Sequence, residues 1–158
     1  MAKSVFNRPQ NIGPSQFRAV ADRRFDDATA LCDTGQNARA NGAQYLVGIV
    51  IDVLLKAQLM RRYPDIARKR PHEVAEQERE IWSLIWRSHD LERMLRHLPG
   101  LLAGVAAKGE RAGKPYLDWL LGICAAWTIH IRYSPYTTTV AEAKHMLERV
   151  RELKEILK

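Results

Sequence analysis

The chain is poor in cysteine. It holds two cysteines among 158 residues, Cys32 and Cys124, far apart and each in an apolar context. They form no CxxC pair and no metal-ligand spacing, so two buried thiols in a reduced compartment are the simplest reading. There is no HExxH, no Cys/His cluster and no EF-hand spacing of carboxylates, so no metal is expected. No stretch reads as a credible β-hairpin, and no Gly-rich loop follows a strand. The glycines between 100 and 113 are therefore weak evidence for a nucleotide, and no cofactor is expected. The first residues lack an apolar stretch after Lys3, so no signal peptide is read, and residues 1–13, rich in Asn, Pro and Gly, are expected to form a flexible tail. No run reaches about 18 uninterrupted apolar residues, so no membrane span is expected and a cytoplasmic location follows.

What is present is a well-populated core and an excess of positive charge. Hydrophobic residues make up 46% and charged residues 27%, enough to bury one core and keep a wet surface. The formal net charge is +7, which favours anionic partners such as RNA, DNA or nucleotides. Many proteins are this basic without such a partner, so the charge alone does not choose.

Apolar residues recur at helical spacing. Pro14 can open a first helix carrying Phe17, Val20, Ala21, Phe25, Ala28, Leu31 and Cys32, and Gly35 ends it. A second helix starts near Asn37. Residues 45–60 are almost wholly apolar, too long a run for a strand, so this helix should be surrounded by others until Pro64 stops it. Residues 64–72 read as a basic loop. A third helix runs from Glu76 to about Arg87, and a short one carries Leu91, Leu95 and Leu98 and ends at Pro99-Gly100. Residues 99–115 read as a connection with one helical turn over 101–107, and residues 115–133 as another apolar helix. Thr139-Val140-Ala141-Glu142 is a capping box for the last helix, with Val140, Ala143, Leu147, Val150, Leu153 and Leu157 as its stripe. The expectation is an all-α, up-and-down helical bundle of about five main helices in one domain, residues 14–158.

Four features could carry chemistry. Asp52 and Lys56 stand four apart and share a face of the apolar helix. They line a groove, or they form a structural ion pair, or Lys56 snorkels to the surface. His130, Arg132 and Tyr133 lie where the fourth main helix should end, a place that favours cations. Arg132 could hold a phosphate and His130 could act as acid or base, although residues two apart do not share a helix face. His89-Asp90 opens a short helix; His89 is a candidate acid/base group or a junction residue. Arg68, Lys69 and Arg70, close to Arg61 and Arg62, form a cluster able to grip a phosphate backbone, or a solvated loop. The tryptophans Trp82, Trp86, Trp119 and Trp127 read as core or interface residues.

The order of several motifs resembles a known family. Residues 23–28 (Arg23-Arg24-Phe25-Asp26-Asp27-Ala28), then Ala43-Gln44-Tyr45-Leu46-Val47-Gly48-Ile49, Asp52 and Leu55-Lys56-Ala57 resemble the first two helices of HEPN-domain proteins. His89-Asp90-Leu91 with Leu95 resembles the start of the third helix, and Trp127 with Arg132-Tyr133 the fourth. The resemblance implies a helical bundle that often forms a homodimer. Many members are metal-independent endoribonucleases of toxin–antitoxin, phage-defence or CRISPR systems. Others are inactive RNA-binding or scaffolding domains, or partners of small nucleotidyltransferases. Active members carry Arg-x(4–6)-His near the end of the bundle. Here His130 precedes Arg132, and no arginine stands four to six places before it. The expectation is a HEPN-like protein that binds RNA or a nucleotide-handling partner, such as a cognate antitoxin or nucleotidyltransferase, with Asp52, Lys56, His130, Arg132 and Tyr133 along a groove. A non-standard ribonuclease using His130 or His89 with Arg132, and an interaction module without nucleic acid, are the alternatives.

Overall fold

A glycine sets the first hairpin of the structure, a computed structural model that describes residues 12–108, 114–133 and 138–157. Pro14 opens α1 (Pro14–Asp33) at a position where its missing N–H costs no helical bond. After Thr34, Gly35 takes φ 68°, a left-handed conformation that glycine adopts without strain. Its N–H donates to the Cys32 carbonyl at 3.0 Å, and the chain turns into α2 (Asn37–Arg62). The small and aromatic buried face of α1, made of Ala21, Phe25, Ala28 and Cys32, packs along α2.

α2 is the axis of the fold. Every residue from 50 to 57 is buried, so the helix is covered on all sides. α1, α3 (Pro64–Arg68), α4 (Arg79–Trp86), α5 (Leu91–Arg96) and α8 (Val140–Ile156) all pack on it, as does a 3-10 turn at Ile129–Tyr133. By length and composition α2 could cross a membrane, yet 72% of its most apolar window is buried against the other helices. Each fully buried Val, Ile or Leu contributes about 1.5–3 kcal/mol relative to exposure, so wrapping this helix is the main source of core stability. α6 (Pro99–Lys108) and α7 (Lys114–Ala126) complete the structure, with α7 against α5 and α6. Val105, Tyr116, Leu120, Cys124 and Trp127 join the same continuous core.

The last helix forms as its sequence predicts. Thr139 is the N-cap, its hydroxyl accepting from the Glu142 N–H at 3.2 Å while the Glu142 carboxylate accepts from the Thr139 N–H at 2.8 Å. Ala143, Leu147, Val150 and Leu153 face inward. Its start is pinned to the start of α2, where Asn37 and Asn41 accept from the backbone N–H groups of Val140 and Thr138, and Gln44 bonds the Thr138 hydroxyl.

Every element among the described residues is helical and none is a strand, but the helices come in more pieces than expected: eight α-helices and three 3-10 turns instead of about five main helices. The basic loop contains α3 and a 3-10 turn at Pro71–Glu73, because both prolines sit at first-turn positions where they start helices. A 3-10 turn at Glu76–Glu78 precedes α4, and α5 ends at Arg96, shortly before Pro99-Gly100, which begins α6. The helix expected over 115–133 stops at Ala126, and its last part is the separate turn Ile129–Tyr133. The tail expected over residues 1–13 lies outside the described residues as far as residue 11.

Candidate functional site

Asp52 and Lys56 meet on one face of α2. Their four-residue spacing stacks the side chains, and Lys56 Nζ donates to Asp52 Oδ2 at 2.9 Å. Both are nearly sealed: Asp52 is 1% exposed and Lys56 5%. Lys56 therefore does not snorkel to the surface. A buried charge pair is tolerated only when each charge is compensated, and here each compensates the other.

His89 joins them from another part of the chain. Its Nδ1 lies 3.2 Å from the same Asp52 Oδ2. The local sequence holds it there. Asp90 caps α5 by accepting from the Arg93 N–H at 2.9 Å, and Ser88 Oγ accepts from the Asp90 N–H at 3.1 Å. Leu91, Met94 and Leu95 anchor that helix in the core beside α2. A carboxylate only accepts hydrogen bonds, so the proton between the groups sits on His89 Nδ1, and Nε2 of the neutral ring is left as an acceptor. The side chain of His89 is 38% exposed, so this cluster reaches solvent through the imidazole.

One turn before Asp52, the indole of Trp127 lies directly on α2 at Gly48. A Cβ at position 48 would stand 1.8 Å from Trp127 Nε1, so only glycine fits. Tyr45 stacks on the same indole, centroids 6.3 Å apart. Trp127 is buried, and its Nε1 has no hydrogen-bond partner; Asp52 Oδ1 likewise has none.

The remaining candidates sit elsewhere. His130 is exposed on the turn Ile129–Tyr133, its backbone N–H donating to Thr128 Oγ1 at 3.0 Å. Tyr133 is 70% exposed. Because α7 ends at Ala126, the argument that a helix C-terminus favours the charges of His130 and Arg132 does not hold. Arg132 has its backbone in this turn, and its side chain lies outside the described residues. The structure thus brings together Asp52, Lys56 and His89, and bonds neither Asp52 nor Lys56 to His130.

The basic cluster divides. Lys69 Nζ grips the Glu78 carboxylate at 2.6 Å, and its carbonyl accepts from Trp82 Nε1 at 3.0 Å. The Lys69 bond, reinforced by the Ala75 N–H, holds Glu78 below the usual carboxylate range. Lys69 is therefore engaged in structure, while Arg68 and Arg70 are exposed. Arg61 and Arg62 border an open groove of about 470 Å3 whose floor includes Leu98, Leu101 and Leu157. Arg61 stands nine residues beyond Asp52, about 14 Å along the helix axis, so the groove and the Asp52 cluster are separate places.

Among the described residues no three His, Cys, Asp or Glu side chains gather as metal ligands. Burial pushes the Cys124 thiol up to about 12 and raises that of Cys32, so neither is a ready nucleophile. The grouping of His89 with Asp52 was not readable from sequence, since 37 residues separate them. Gly48 was a readable signal: a lone glycine inside a run of Val and Ile marks a close approach. No family model matches the chain, and neither a curated protein nor a solved structure aligns with it significantly, so its own residues carry the functional reading.

Proposed function

We propose that this chain is a HEPN-like helical protein that binds RNA, or a nucleotide-handling protein partner, in a toxin–antitoxin or defence-type system. The observation that carries the reading is the half-exposed His89, oriented through Nδ1 by a sealed Asp52–Lys56 pair. Such a ring offers Nε2 to solvent in one fixed direction. Neutral, it accepts from a ribose hydroxyl; protonated, it donates to a phosphate oxygen. The net charge of +7 supplies long-range attraction for a polyanion, and the exposed Arg68 and Arg70 are available to phosphates. The test is RNA binding by fluorescence anisotropy across a salt series. Affinity should fall steeply with salt, and His89→Ala should weaken binding more than Arg70→Ala. No binding even at low salt would leave the protein-interaction reading in its place.

The same geometry favours a second reading, metal-independent RNA cleavage. A histidine held on a carboxylate is arranged to take and return a proton at its free nitrogen, and Arg132 would clamp the phosphate. Cleavage measured in EDTA should then disappear in both His89→Ala and Arg132→Ala and persist in Arg70→Ala. Uncut RNA across varied sequences would reject this reading and leave binding alone.

Pairing into a homodimer belongs to the proposal. Supporting it, the outward face of α7 between 118 and 126 carries Leu121, 41% exposed, with Gly122, Ala125 and Ala126 and a single charge, Asp118. Sedimentation should show a dimer that Leu121→Arg converts to monomer; a wild-type monomer at high concentration would reject it.

A further inference from the structure

Asp52 Oδ1 and Trp127 Nε1 are both buried and both lack a hydrogen-bond partner. One is an acceptor and the other a donor, and they belong to residues 1% and 4% exposed. Leaving either alone in an apolar interior is unfavourable, and two such groups of opposite sense in one core call for a common partner.

The helix geometry places them near each other. Trp127 Nε1 rests on Gly48, and Gly48 and Asp52 stand one turn apart on the same face of α2. Four residues of helix advance about 6 Å. Helical side chains lean back toward the preceding turn, so the Asp52 carboxylate leans over the turn of Gly48, where the indole lies. A donor and an acceptor held by one bridging molecule, with two hydrogen bonds of about 2.8 Å, stand about 4–5 Å apart, a separation this arrangement can supply. The other carboxylate oxygen is already occupied by Lys56 and His89, so the bridge must fall on Oδ1.

We propose that Asp52 Oδ1 and Trp127 Nε1 together bind one ordered water molecule in the core. The ligand must both accept and donate, and both atoms are sealed from bulk solvent, which is the setting in which a single buried water serves. The water gives the second oxygen of Asp52 a donor. The carboxylate is then bonded on both oxygens, which fixes its plane and, through Oδ2, the ring of His89. The site stands on the two buried atoms alone and does not depend on RNA binding.

The test uses the full 15N-labelled chain with no RNA present, so its failure is separate from failure of the binding proposal. The Trp127 indole resonance is assigned by its loss in Trp127→Phe. It should show a cross-peak at the water frequency with the sign of a long-lived bound molecule. Asp52→Asn, which keeps an acceptor oxygen, should retain that cross-peak. The charge-balanced pair Asp52→Leu/Lys56→Met, which removes the acceptor without stranding a charge, should abolish it. A crystal structure at high resolution should place one solvent atom within hydrogen-bond distance of both groups. An indole with no water cross-peak in the wild type, a cross-peak unchanged in the double variant, or a direct Nε1–Oδ1 hydrogen bond in the crystal would each overturn the proposal.

Discussion

Removing Asp52 should cost far more than removing the ion pair of which it is part. In Asp52→Ala the Lys56 ammonium loses its partner while its side chain remains only 7% exposed. Stranding a buried charge in this way costs about 3–5 kcal/mol. His89 also loses a partner, but its side chain is 38% exposed, so solvent replaces most of that interaction. A domain is stable by about 5–15 kcal/mol, so a loss near 4 kcal/mol is a large fraction of the total. With a urea slope of about 2 kcal/mol/M, the midpoint should fall by about 2 M. Lys56→Met should show the mirror effect, leaving Asp52 as a lone buried carboxylate. The double variant Asp52→Leu/Lys56→Met should recover most of the loss, because well-packed apolar residues replace a buried pair at little cost or with a gain of about 1–4 kcal/mol. Equilibrium urea unfolding followed by circular dichroism and by tryptophan fluorescence measures all three and checks that the transitions coincide. A loss below about 1 kcal/mol in Asp52→Ala would show that the pair is not desolvated as the structure has it. A double variant as unstable as the worse single would show that shape at these positions, not charge, sets the cost.

Other outcomes follow from single contacts. Gly48→Ala should destabilise by at least about 1–3 kcal/mol and shift the tryptophan emission, since the new Cβ meets the Trp127 indole and the ring must move; chemical unfolding and fluorescence read both. Neither Cys32 nor Cys124 should react with a disulfide reagent at pH 8 in the native protein, and both should react in denaturant, because burial raises both thiols and puts Cys124 at about 12. Glu78 is held below its ordinary value by Lys69 and the Ala75 N–H. Its stabilising effect should be complete above the normal carboxylate range and vanish as pH falls through the lowered folded value. The stability difference between wild type and Glu78→Gln, followed from pH 7 to strongly acidic solution, should therefore shrink toward zero at the acid end.

Helix identity was legible where a local rule applies within a few residues. Pro14, Gly35 and the Thr139–Glu142 box act on their own neighbours, and each starts or stops its helix as expected. The misreadings came from proline and from helix length. α2 does end just before Pro64, but Pro64, Pro71 and Pro99 each also begin a new helical segment, since a proline tolerates the first turn as readily as it ends a preceding one. The stretch 115–133 is apolar enough to be one helix. Its end at Ala126 is accompanied by Trp127 packing onto Gly48, a contact between segments 79 residues apart.

The apolar run of 45–60, with Asp52 and Lys56 four apart, was enough to predict a surrounded helix carrying a charged pair on one face. Helical periodicity and the cost of exposing or stranding such residues act locally along one element. Whether that pair would face solvent, and what would join it, is decided only when α5, α8, Trp127 and the turn Ile129–Tyr133 come together around α2. Packing sealed Asp52 and Lys56, brought His89 to Asp52 Oδ2 at 3.2 Å, and laid Trp127 against Gly48. Sequence spacing says which side chains share a helix face; it carries no information about which distant segment will cover that face. The tertiary fold therefore selected His89 over His130 as the partner of Asp52, because the Asp90 cap holds His89 at the α5 junction beside the centre of α2, while the turn Ile129–Tyr133 leaves His130 exposed.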